Sequence, residues 1–305
     1  MALIALVSAA SDGVTTSAAA MALASPRPVL LAEFDLAGGK LRNRLLRGVQ
    51  RSGRPLDGHI GLHKLAEAYW GNSGTSSFTP QVAQHLWPLD DTDYRFVLPG
   101  LTDPRQAASL REVWPSLVNV LQLTDHELGW DVIVDGGRVV LEGGRPHPVL
   151  SPVAVLHEAD IVLLVVRMAD EASVLLASSM IEALQDELSR HGTGARALGL
   201  LAIGNGERHE FSVDQVAREL QAPVLATLRW DPRAAAYIQG GGPAPRGLSR
   251  SVLLRSARDV IGPLHEYAQR RRIQLQLRAA QAANPGVMQQ VRQLGLIRQQ
   301  GAGRG

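Results

Sequence analysis

Short, wholly apolar runs alternate with longer amphipathic ones along this chain, and that alternation restricts its fold more than any single residue does. "LIALV" (3–7), "PVLLAEF" (28–34), "YRFVLP" (94–99), "DVIVD" (131–135), "IVLLVV" (161–166), "ALGLLAI" (197–203) and "PVLATL" (223–228) are rich in Val, Leu and Ile. Several are apolar throughout, as suits strands covered on both faces; a half-exposed strand would alternate. Amphipathic stretches at 105–122, 171–190 and 212–220 lie between them. The rhythm predicts an α/β fold, a mostly parallel central sheet with helices on both faces. In such sheets function gathers at the carboxyl ends of the strands. Residues 49–93 are less regular: "GNSGTSSFTP" reads as loop, with short helices at 61–69 and 79–86. "GGGPAPRG" (240–247) reads as a linker to a last long helix, which "AANPGV" (282–287) breaks.

At 305 residues the chain can bury a full core. No apolar run approaches the length of a membrane span, and the start lacks the basic segment and cleavage site of a signal peptide. A cytoplasmic location is therefore expected. The absence of cysteine excludes disulfides, thiolate catalysis and Cys-ligated metal sites. The nine histidines show no metal spacing; His63, His85 and His126 read as surface or helix-face residues. Charge is uneven. From Arg250 onward there are ten arginines against Asp259 and Glu266, a local +8 on a body of −6 within the overall +2. A basic end on an acidic body suits nucleic acid, a membrane surface or another protein, or is simply a solvated arginine-rich helix.

"SAASDGVTT" (8–16) follows the first strand and precedes the small-residue helix "SAAAMALA". Strand, small-residue loop and helix form the setting of a phosphate-binding loop. Backbone N–H groups and a helix N-terminus face the phosphate, glycine permits close approach, and a Ser/Thr hydroxyl holds Mg²⁺. Gly13 can supply the approach and Thr15 the hydroxyl, while Asp12 places a carboxylate in the loop. Two further strands end in acids: Glu33 and Asp35 after the second, Asp135 after "DVIV". Strand-terminal carboxylates are what a Mg²⁺–nucleotide site uses to hold the metal and its waters. With Asp12, Glu33, Asp35 and Asp135, the pocket is expected to be acidic. "LAGGKL" (36–41) lacks the upstream glycine and following Ser/Thr of a phosphate loop, so Lys40 reads as part of a solvated helix turn.

In this order, "SAASDGVTT", "AEFDLAGG", "DVIVDGGR", "ADIVLLVVRMADEAS", "LLAIGNG" and "APVLATLRWDPRAAAYIQGGG" resemble the ParA/MinD family of deviant Walker ATPases over roughly residues 2–265. The resemblance implies a P-loop domain at 1–265 and a basic helical extension and tail at 266–305. It implies an ATP/ADP site with Mg²⁺, formed by Ser11, Asp12, Gly13, Val14, Thr15, Thr16, Asn205 and Asp231. Thr15 and Asp135 would lie at the metal, and Glu33 and Asp35 would be vestiges of catalytic acids. The departures are as informative: the family's signature lysine falls on Ala9, its second loop lysine on Val14, its paired glycines on Ala10 and Ser11, and "GGR" follows Asp135. Neither lysine of the chain is expected near the loop, and Arg138 is a candidate substitute cation. The resemblance implies a non-hydrolysing or weakly hydrolysing positioning or assembly factor, similar to TadZ/CpaE-type proteins and working with a secretion, pilus or division assembly at the membrane or cell pole. The alternatives are an active ATPase that partitions DNA or places a division site, and a pure interaction scaffold with an empty pocket. Family members pair across their phosphate loops, so a homodimer is expected.

The end of the chain carries its own expectation. Val287, Met288, Val291, Leu294 and Ile297 fall on one helical face flanked by Arg292 and Arg298. A short basic amphipathic segment of this kind suits a membrane surface or a partner's groove. The arginines at 270–272 leave nucleic acid open, without a recognisable motif.

Overall fold

The structure, a computed structural model, describes residues 2–10, 13–71, 78–191, 193–206 and 210–283. Its centre is an eight-stranded sheet. The strands in chain order are β1 (Leu3–Ser8), β2 (Val29–Glu33), β3 (Trp87–Pro88), β4 (Arg95–Leu98), β5 (Asp131–Arg138), β6 (Ile161–Arg167), β7 (Leu198–Gly204) and β8 (Val224–Arg229). Their order across the sheet is β8-β7-β6-β1-β5-β2-β4-β3. Every pairing is parallel except that of β3 with β4 at one edge. The chain thus runs outward to one side of β1, returns, and continues to the other. The strands diverge beside β1, which is where an open α/β sheet forms its crevice.

Both faces of the sheet are covered, as the apolar runs require. Leu3, Ala5 and Val7 of β1 join Val132 and Val134 of β5 in one core with α4 (Trp114–His126) and α6 (Glu171–Arg190). Ile4, Leu6 and Ile133 point to the opposite core, under α1 (Val14–Ala24), α8 (Pro232–Ile238) and α9 (Val252–Ala283). Period-two alternation therefore sorts apolar side chains between two cores instead of between core and water. The small-residue helix α1 lies between the sheet and α9, with Ala18, Ala19, Ala20, Met21 and Ala22 fully buried. Alanine lets the layers approach closely, and it is the best helix former.

The remaining helices are α2 (Leu62–Gly71), α3 (Phe78–His85), α5 (Val153–Glu158) and α7 (Val213–Glu219). Two details differ from the sequence reading. The stretch 105–122 divides into a 3₁₀ segment, Pro104–Leu110, and α4. The loop expected at 71–80 gives way to α3 from Phe78. The last helix, α9, runs as far as Ala283. The expectations for Asn284-Pro285-Gly286 and the amphipathic tail lie outside the described residues.

The arginines at 271–272, left open as a nucleic-acid contact, are engaged with the protein itself. Arg271 is buried and donates to the carbonyls of Asp160 and Thr193. Arg272 binds the Asp160 carboxylate at 2.6 Å and 2.5 Å and also reaches Asp125. They anchor α9 to the loop before β6 and to α4.

Candidate functional site

A cleft of about 440 Å³ opens where β1, β2 and β5 end and α1 begins. Gly13 caps α1 with φ of 94°, a left-handed conformation that glycine adopts without strain. A Cβ there would also stand 3.4 Å from the Trp230 ring. The N-terminus of α1 has no side-chain cap among the described residues and no acid in its first turn, so its first N–H groups and positive dipole end face the cleft. Gly13, Val14, Thr15 and Thr16 all line the cleft, and the Thr16 hydroxyl accepts from Gln239 Nε2 at 3.1 Å. The Val14 side chain packs into the core beneath α1. Ser11 and Asp12 lie outside the described residues.

The three strand-end acids do converge, but at different depths. Glu33 is fully buried and does not line the cleft. Its Oε1 accepts from the N–H of Lys40 (2.6 Å) and Leu41 (2.8 Å), and its Oε2 from Gly100 (2.9 Å). Burial raises its pKa above the ordinary carboxylate value, against the pull of those three donors. Asp35 reaches the cleft wall. It accepts from Ala37 N–H at 3.0 Å and pairs with Lys40 Nζ at 2.8 Å. Asp135 is fully buried behind the wall, and its Oδ1 accepts from Gly137 N–H at 3.2 Å. Among the described residues its Oδ2 has no donor in hydrogen-bond geometry, although the Thr15 hydroxyl lies near the carboxylate. Burial pushes the Asp135 carboxyl up to about 7; the charges of Glu33 and Asp35 push the same way, while the Thr15 hydroxyl and Lys40 pull it down.

Among the described residues the lining is less acidic than expected, and Asp12 lies outside them. Asp35 is the one described carboxylate in the lining, against Lys40, Arg44 and Arg138. Lys40 is neither remote from the loop nor part of a helix; it sits in the loop after β2 with its ammonium on Asp35. Sequence distance hid this, because the loop is drawn in by backbone bonds to Glu33, seven residues away, and from Gly39 N–H to the Leu101 carbonyl at 2.6 Å.

Arg138 reaches the cleft through a bulge. Leu6 pairs with Asp135 and Ser8 with Arg138, so β5 carries one residue more than β1 across this interval. Gly136 and Gly137 stand where β1 has Val7 alone, and bulges of this kind re-aim the next side chain. Neither glycine can be replaced in place: a Cβ on Gly136 would come within 2.8 Å of Val7 Cγ1, and one on Gly137, at φ 62°, would run into the Asp35 carboxylate. "GGR", a departure from the family pattern, is thus what puts a cation in the cleft. Sequence reading also missed Arg167, whose guanidinium lies 4.9 Å over the Trp230 ring beside Gly13.

Asn205 and Asp231 do not line this cleft. Asn205 is exposed, and its N–H donates to Glu210 Oε1 at 2.9 Å. Asp231 caps α8 by accepting from the N–H of Arg233 (3.0 Å) and Ala234 (3.2 Å). No group of three or more His, Cys, Asp or Glu side chains among the described residues is arranged to hold a metal by itself. No described helix is long and apolar enough to cross a membrane.

No protein-family model matches the sequence, and no curated protein shows significant similarity to it. Solved structures do match. A ParA family ATPase from Chlorobium tepidum TLS superposes with a TM-score of 0.62 at 14% identity, over 87% of this chain and 100% of that one. The septum site-determining protein MinD of Pyrococcus horikoshii OT3, complexed with Mg-ADP, gives 0.60 at 16% identity, over 89% and 99%. The MinC:MinD cell division complex of Aquifex aeolicus gives 0.55 at 15% identity, over 86% and 96%. Identities this low speak for architecture alone: this chain has the α/β P-loop fold of the ParA/MinD ATPases.

Proposed function

We propose that this protein binds a Mg²⁺-nucleotide weakly at the cleft, hydrolyses it slowly or not at all, and acts as a positioning or assembly factor of the TadZ/CpaE kind. The observation that carries this reading is the start of α1. Its N-terminus faces the cleft with no side-chain cap among the described residues, as suits a phosphate site, yet Val14 is buried in the core where a loop lysine would stand. Loss of a cation that acts mainly in the transition state leaves binding in place and removes rate. The acids fit a metal as well. A buried carboxylate with one oxygen lacking a donor and a pKa near 7, beside a threonine hydroxyl, is stabilised by a cation at that point. Thr15 and Asp135 would hold Mg²⁺, and the ion would offset phosphate charge.

Calorimetry and phosphate release on the purified protein test this. Weak ATP binding that is lost in EDTA, with no steady phosphate release, is expected. Submicromolar binding in EDTA would show that the metal is not needed. Steady release abolished by Asp35→Ala would favour the second reading, an active partitioning or division-site ATPase, which the three cations in the lining support. The MinC:MinD neighbour motivates an expectation of complex formation, here self-pairing around the cleft together with a protein of a secretion, pilus or division assembly. Only monomer in sedimentation at tens of micromolar, with and without ATP, would count against the pairing. The segment beyond residue 283 is proposed as the targeting element, for a partner or a membrane surface. Normal localisation of a protein cut at that point would remove that role.

A further inference from the structure

We infer that Lys40 is the phosphate-binding cation of this cleft, delivered by the loop after β2 in place of any lysine between β1 and α1; this rests on the nucleotide reading above. Three observations carry it. The first is location: Lys40 lines the same cleft as Gly13, Thr15 and Thr16, with its side chain about one-third exposed. The second is a backbone held from several directions. Lys40 N–H and Leu41 N–H bind Glu33 Oε1, Gly38 N–H binds the Asp35 carbonyl at 3.1 Å, and Gly39 N–H binds the Leu101 carbonyl. Gly39 has no room for a side chain, because a Cβ would come within 2.8 Å of the Leu101 carbonyl oxygen and 3.0 Å of Glu33 Oε2. The third is an anchored ammonium. Asp35, with its side chain 3% exposed, holds Nζ at 2.8 Å. The contact is an ion pair and not a hydrogen bond, since Asp35 Oδ2 has no donor in hydrogen-bond geometry among the described residues, so the three ammonium hydrogens remain available to a phosphate oxygen without breaking the pair.

Arg44 and Arg138 also line the cleft, but both are exposed and neither forms an ion pair among the described residues. They add positive potential without a fixed position. Lys40 alone of the three couples a fixed backbone to a buried counter-charge. In this arrangement Asp35 is a positioning residue: it holds the lysine toward the cleft.

The chain has only two lysines, Lys40 and Lys64, which makes the test clean. Lys64 lies on α2 and pairs with Glu67 at 2.5 Å. The wild-type full chain is treated with an amine-acylating reagent, and the modification rates of both lysines are read by peptide mass spectrometry. Mg·ATP and Mg·pyrophosphate should slow acylation of Lys40 about fivefold or more, because a charge-assisted bond to phosphate occupies the amine. Adenosine should leave Lys40 unprotected, and Lys64 should be indifferent to all three. Calorimetry on Lys40→Ala should show Mg·ATP affinity lowered about tenfold, the loss typical of one hydrogen bond to a charged group. Lys40→Arg should recover part of it, and Lys64→Ala should bind like wild type. An unprotected Lys40 at ATP concentrations that saturate the wild-type protein overturns the inference while leaving the nucleotide site intact. A wild-type protein that binds neither ATP nor pyrophosphate overturns both. The acylation readout needs no variant, so instability of Lys40→Ala does not rescue the inference.

Discussion

The two ends of the central sheet carry the same residue type in opposite states. At the amino ends of the strands, Asp131, Asp160 and nearby Asp125 each meet a basic side chain from α9. His265 lies 2.7 Å from Asp131, and Arg272 spans Asp160 and Asp125. The same acids hold the start of the chain, accepting from Ala2 N–H at 3.2 Å and Leu3 N–H at 2.9 Å. At the carboxyl ends, Glu33 is held by backbone alone, Asp35 by one lysine, and Asp135 forms no ion pair among the described residues. Asp125 and Asp160 share a resident guanidinium, and His265 beside Asp131 is a charge partner when protonated. Glu33 and Asp135 form no ion pair among the described residues, at a cost in stability that a bound cation would remove.

The sharpest way to break this contrast is at the fastened end. Arg272→Ala leaves two largely buried carboxylates without their guanidinium and is expected to cost about 3 kcal/mol in denaturant unfolding, the scale of a buried pair that loses one member. An unchanged midpoint would mean that α9 is held by its apolar face alone. Next is Gly137→Ala, which puts a Cβ against Asp35 at a positive φ and should cost about 2 kcal/mol. It should also displace Lys40, read as faster acylation of that residue. A variant as stable as wild type would show that the bulge can relax.

Asp135→Asn should have the opposite sign. A carboxyl whose folded pKa is about 7 penalises the fold whenever it is ionised, fully above pH 7 and progressively less toward the ordinary carboxylate value. The amide should therefore raise the thermal midpoint by several degrees at pH 8, with the gain shrinking as pH falls through 7 and vanishing near pH 4. A gain independent of pH would point to packing instead of charge. The smallest effect belongs to Arg270→Ala, which removes an exposed pair to Glu266 at 3.0 Å, one turn away on α9. Such pairs contribute about 0.3 kcal/mol, so a larger loss would blur the distinction between fastening and surface charge.

The apolar runs marked seven of the eight strands to within a few residues, because a strand buried on both sides shows in its composition. The eighth, Trp87–Pro88, is a two-residue edge strand with no run to announce it. The helix 171–190 was equally legible; its cap, Asp170, shows only in the structure. The cleft's position followed from the sheet, and Gly13 and Thr15 from their local pattern. Its charge did not. Lys40 is placed by a carboxylate that also binds Gly100, sixty-seven residues from Glu33. Arg138 is placed by a bulge visible only in the register. The arginines at 271–272 looked like a solvated basic run because their partners, Asp125, Asp160 and Thr193, lie far back in the chain.

Glu33 has one more consequence, for how this sequence can vary. One carboxylate is shared among the amides of Lys40, Leu41 and Gly100, and Gly39 and Gly100 press against it; a Cβ on Gly100 would lie 3.0 Å from Glu33 Cγ. Aspartate, one methylene shorter, does not span from β2 to both loops. A side chain at 39 or 100 would crowd the glutamate, and it would also meet backbone, the Leu101 carbonyl oxygen at 2.8 Å from a Cβ on Gly39 and the Glu33 carbonyl oxygen at 2.9 Å from one on Gly100. Replacing Glu33 therefore does not free the two glycines, so descendants of this chain can change position 33 only while keeping Gly39 and Gly100.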